Sequence, residues 1–193
     1  MVSNKLAGNN IYDFFDERVG RAASSRDIEL TTETRQYLAL LLTQPETALN
    51  RRDPDTLAEL HLKAANANRT EALRLYRTLG DRALYVAGYF AESLERRPVG
   101  VSYYADMGGA AYSRVAVLGQ VGREVDPWTR LFRELAHRFH DCLELLRDVA
   151  DQNRAEGCRN LMELYEHFLR TRSQNAARRL GEMGVFAAEP ALS

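Results

Sequence analysis

The chain has 193 residues, 45% of them hydrophobic and 27% charged, with 26 Lys+Arg against 27 Asp+Glu. That length and composition suit one folded domain with its own core and exclude a disordered chain. A net charge of −1 gives no global attraction to nucleic acid or to an anionic membrane. Two cysteines, Cys142 and Cys158, are too few for a disulfide framework. The first residues carry no apolar run like a signal peptide, and nothing approaches the roughly 18 apolar residues of a membrane helix. The expected setting is cytoplasmic, with no membrane partner.

Apolar residues recur at helical spacing almost throughout, and no segment alternates as a strand would. The first predicted helix runs from about Ile11 to Ala23 with Phe14, Phe15 and Val19 inward, followed by a turn over Ser24–Asp27. Thr31 or Thr32 caps a second that buries Tyr37, Leu38, Leu41 and Leu42 and stops at Pro45. Asp53 or Asp55 caps a third carrying Leu57, Leu60 and Leu62. A fourth spans about Thr70 to Leu79, where Gly80-Asp81 reads as a stop and new cap, or as a bend.

Residues 83–91 contain no charge, which predicts a helix wrapped by others. Tyr104, Gly108, Ala111, Val115 and Leu118 mark a helix over 101–118. Helices 83–94 and 101–118 are expected to form a central hairpin, with Gly88, Gly108, Gly109 and Ala110 allowing close approach. A long helix begins at the Asp126 cap with Pro127 at its first position. Trp128, Phe132, Leu135, Phe139, Cys142, Leu146 and Val149 follow as a strict heptad seam. A helix over about Arg159–Arg170 buries Leu161, Tyr165 and Phe168, and a last one runs from Ser173 to Glu182, stopped by Gly184. The prediction is one all-α domain of seven or eight helices over 1–186, with a loose tail over 187–193.

Four groups of residues bear on chemistry. Glu134-x-x-His137, with His140, Asp141 and Glu144, has the spacing of a carboxylate–histidine metal motif, but the heptad turns Glu134, His137, Asp141 and Glu144 to solvent, where His137–Asp141 and His140–Glu144 are expected as i,i+4 surface pairs. In the second such segment, Glu163, Glu166 and His167, His167 follows Glu163 by four positions in place of three. No metal ligand is therefore assigned. Cys142 falls on the apolar seam, and Cys158 sits near a predicted helix start that would favour its thiolate. No phosphate loop, nucleophile elbow or paired Cys-x-x-Cys is present, so no catalytic residue is assigned and the reading leans away from an enzyme.

Charge is unevenly spread: −3 over 1–60, +3 over 61–120 and −1 over 121–193. The basic excess, at Lys63, Arg69, Arg74, Arg77, Arg82, Arg96 and Arg97, makes the 61–97 stretch a third-ranked candidate for nucleic acid. The predicted hairpin carries the fourth group: Tyr85, Tyr89, Glu92, Ser93, Tyr103, Tyr104, Asp106, Tyr112 and Arg114. Polar groups on the most apolar helices must pair with each other or with a ligand. Tyr85, Tyr89, Glu92, Tyr103, Tyr104, Asp106, Gly108, Gly109, Tyr112 and Arg114 are the candidate ligand site, and Trp128, Phe132, Leu135 and Phe139 the candidate interface of a homodimer.

The run Tyr103-Tyr104-Ala105-Asp106-Met107-Gly108-Gly109-Ala110-Ala111 resembles the distal helix of haem oxygenases, in which a glycine pair lets the backbone lie over haem. That resemblance implies a haem surface at Gly108 and Gly109, with His61, the first histidine, in the proximal role. The longer run from Ala91 to Leu118 is similar to bacterial all-helical proteins of unknown function, which supports the fold without naming an activity. The leading expectation is a non-catalytic protein acting through protein contacts as a homodimer or with another protein, and no cofactor is assigned. A small-molecule or haem-binding protein is the alternative.

Overall fold

The computed structural model describes residues 3–44, 55–94, 100–120 and 125–182. It is all-α: eight α-helices and no strand among the described residues. They form two compact units that part between Ala150 and Asp151. The sequence offers no boundary inside 1–186 because this division falls within a continuous helix. Arg96, Arg97, Pro45, Asp53, Gly184 and the 187–193 tail lie outside the described residues.

In the first unit, α1 (Ser3–Ser25) ends on a left-handed Asp27 (φ 56°), with the Ile28 N–H reaching back to the Ala23 carbonyl at 3.0 Å. This is the glycine-type helix stop built with aspartate. Val19 is buried as expected, whereas Phe14 is exposed and lies under the Arg18 guanidinium. α2 (Thr32–Thr43) is capped by Thr31, whose side chain accepts from the Thr34 N–H. α3 (Leu57–Asn66) is capped by neither aspartate. Thr56 and Glu59 form a reciprocal capping box there, and Leu62 points outward while Leu57, Leu60 and Ala64 are buried.

α4 (Arg69–Leu84) runs through Gly80-Asp81 without a stop. Its continuation changes winding: Tyr85–Tyr89 is a π-turn closed by the Phe90 N–H on the Tyr85 carbonyl at 3.3 Å, and Ala91–Leu94 is a 3₁₀ turn. A plain helix over 83–94 is thus corrected to α, π and 3₁₀ segments in succession.

α5 (Val101–Gly119) packs against α4 and against α6 (Pro127–His137), which opens with the expected Asp126 cap and Pro127. The predicted long helix bends at Arg138 (φ −100°, ψ 27°), and α7 (Phe139–Thr171) follows. The seam survives the bend: Phe132, Leu135, Phe139, Cys142, Leu146 and Val149 are all buried in one core with residues of α1 to α5. In the second unit, α7 continues through Gly157 and the segment expected as a separate helix. Tyr165 is exposed and Leu161 and Phe168 are half-buried. Arg172 turns left-handed (φ 51°) before α8 (Gln174–Glu182), which buries Ala176 and Leu180.

Candidate functional site

The only buried acidic side chain among the described residues is Asp81, 4% exposed in the middle of α4. Its Oδ1 accepts from the Tyr37 hydroxyl of α2 at 2.5 Å and from the Tyr112 hydroxyl of α5 at 2.8 Å. Arg77, one turn earlier on α4, lies 3.7 Å from Oδ2 through Nε and donates to the Tyr37 oxygen at 3.1 Å. Gly80 makes room for this arrangement. A Cβ there would sit 2.4 Å from the Tyr112 ring.

Burial raises the Asp81 pKa, and the two tyrosine hydrogen bonds and Arg77 offset that only in part. Burial, with the Asp81 charge adding to it, holds Tyr37 and Tyr112 well above their ordinary 10.0, so both stay protonated donors. A recess of about 20 Å³ beside Tyr37, Leu40, Leu41, Gln44, Arg77 and Asp81 has room for about one water. The cluster ties α2, α4 and α5 together through one carboxylate.

The ten candidate ligand residues do not converge. Tyr112 belongs to the Asp81 cluster. Tyr85 is buried and stacks on half-buried Tyr89 at 5.6 Å, with its hydroxyl pushed up to about 12 by burial. Tyr104 is half-buried against the core. Tyr103, Asp106 and Arg114 are exposed. Arg114, expected to pair inside the hairpin, points outward. The Glu92 side chain lies outside what the structure describes.

The glycine pair faces the chain's own side chains. A Cβ on Gly108 would lie 2.2 Å from the Phe139 ring and 2.8 Å from Ala83, and one on Gly109 would lie 3.6 Å from Phe139. The surface that the haem oxygenase resemblance implies is therefore filled by Phe139 and Ala83. His61 is half-buried on α3, edge-on to Tyr76 at 5.7 Å. Of the four interface candidates, Phe132, Leu135 and Phe139 are 0%, 0% and 2% exposed within one chain, which corrects the seam from an interface to a core. Trp128 alone is exposed, between Phe132 and the Arg77 guanidinium.

The remaining motifs resolve into structural pairs. Glu134 is half-buried rather than turned fully to solvent. It accepts from the Thr31 N–H at 3.1 Å, from the Thr31 hydroxyl and from the Thr34 hydroxyl at 2.7 Å, reinforcing the α2 cap from α6. Burial alone would raise its pKa, but these donors hold it below the ordinary 4.5. The expected His137–Asp141 and His140–Glu144 pairs are replaced by Arg138–Asp141 and Arg147–Glu144. No group of potential metal ligands gathers among the described residues.

Cys142 is fully buried and its thiol is pushed up to about 12 by burial, while Cys158 is exposed within α7, away from any helix start. Along the basic stretch, Lys63 pairs with Asp55, Arg74 with Glu71, and Arg69 donates to the Leu118 and Gln120 carbonyls. No helix of the described residues is long and apolar enough to cross a membrane.

One surface was not foreseen. α5, expected as one half of the central hairpin, leaves a face open: Tyr103, Asp106, Ala110, Ser113, Arg114 and Val117 are exposed, Val117 at 68%. At about 100° per residue these six fall on one arc of about 100°. Alongside, Ser113, Ala116, Val117, Arg133, Ala136 and His137 line an open groove between α5 and α6 of about 290 Å³. No protein-family model, no curated protein and no solved structure matches the chain.

Proposed function

We propose that the protein works by binding another protein surface through the outer face of α5. The supporting observation is that α5, the most apolar helix of the fold, leaves a face of Tyr103, Ala110, Ser113 and Val117 in solvent. An apolar stripe of Tyr103, Ala110 and Val117 flanked by the charged Asp106 and Arg114 is the kind of mixed surface that contact interfaces use. The polar cluster supports the same reading, because buried Asp81, Tyr37 and Tyr112 bond to one another and to half-buried Arg77. The test is photo-cross-linking in cells producing the full chain, with a benzophenone amino acid at Val117 or at the exposed α8 residue Arg178. Discrete adducts to one protein from Val117 and none from Arg178 are expected. Equal, diffuse cross-linking from both positions would overturn the reading.

A further inference from the structure

We infer that the α5 face binds a second copy of the same chain, with the two helices antiparallel and Ala110 at the two-fold axis. This rests on the protein-contact reading above and names the partner. Two pairs of exposed positions are symmetric about Ala110: Asp106 and Arg114 lie four residues to either side, Tyr103 and Val117 seven. A two-fold contact is self-complementary, so each residue meets its mirror position on the other copy. Asp106 then lies level with the partner's Arg114, and Tyr103 level with the partner's Val117.

Within the chain, neither Asp106 nor Arg114 has an ion pair or hydrogen bond among the described residues, although α5 carries no other charge. Arg133, on the groove beside Ser113 and Val117, adds positive charge at the Arg114 end. Antiparallel pairing sets that basic end against the acidic end of the other copy. Parallel pairing in register would set Asp106 on Asp106 and Arg114 on Arg114 and is disfavoured. Ala110 and Ser113 at the centre are small enough for two helix axes to approach to about 8 Å.

Sedimentation of the full-length protein over a dilution series tests this. The expected particle has twice the 21.9 kDa chain mass. Asp106→Arg and Arg114→Asp each place like charges opposite one another twice and should weaken the dimer about tenfold or more. Mixing the two variants restores opposite charges at both contacts, so they should pair with each other, as should the double variant with itself. Both sites are exposed, and an unchanged helical circular dichroism signal confirms that each variant folds.

A wild-type monomer at every concentration overturns self-pairing, while adducts from Val117 to a different protein would leave the contact reading standing. A wild-type dimer that neither charge reversal weakens, or that mixing does not restore, overturns the α5 geometry.

Discussion

Asp81 and Glu134 are both carboxylates that bridge elements distant in sequence, yet their surroundings shift them in opposite directions. Burial lifts Asp81 in the folded state, so the folded protein keeps a proton that the unfolded chain has lost. The stability this contributes is present at low pH and is lost as pH rises through the folded pKa. Glu134 is lowered, so its contribution is present above 4.5 and lost as pH falls through the folded value. Asp81→Ala leaves two buried hydroxyls without their acceptor and should cost about 3 kcal/mol, read from urea denaturation. Asp81→Asn keeps an acceptor and should cost less. Its deficit relative to wild type should shrink as pH rises through the Asp81 pKa. An alanine variant within about 0.5 kcal/mol of wild type would show that the cluster contributes little. Gly80-Asp81 carries a turn signal in sequence, and the partners that hold it in a helix lie 44 and 31 residues away, where no local pattern reaches.

At the scale of elements, helix positions were legible wherever apolar spacing was regular, as on α5 and across the Phe132–Val149 seam. Caps were legible where one residue type dominated: Asp126 and Thr31 fall where expected. The Thr56-x-x-Glu59 box was present in the sequence and outweighed by the nearby aspartates. The π-turn at Tyr85–Tyr89 has no comparable signal, because winding there answers to packing on both sides. Gly88 sits where a Cβ would lie 2.8 Å from Leu146. Two adjacent glycines test this account of close approach. Gly108→Ala drives a methyl into Phe139 and Ala83 and should cost about 1–3 kcal/mol. Gly109→Ala meets only ordinary contact distances and should stabilise by up to about 1 kcal/mol through helix propensity. Denaturant midpoints shifting the same way for both would contradict the packing described.

For the whole molecule, the all-α class followed from periodicity, but which helical faces stay open did not. The 101–118 pattern gives α5 a buried arc and says nothing of how many neighbours cover the rest. The core cluster runs from Val19 to Val149. A chain ending after Glu156 is therefore expected to unfold cooperatively, within about 5 °C of the full-length midpoint by circular dichroism. A broad transition would show that the first unit does not stand by itself. The chain also holds a single tryptophan, Trp128, whose indole lies 5.2 Å from the guanidinium that reaches the Asp81 cluster. Its fluorescence is thus a built-in optical gauge: a change in the proton count at Asp81, or in the seating of Arg77, alters the electric field at the only indole in the protein.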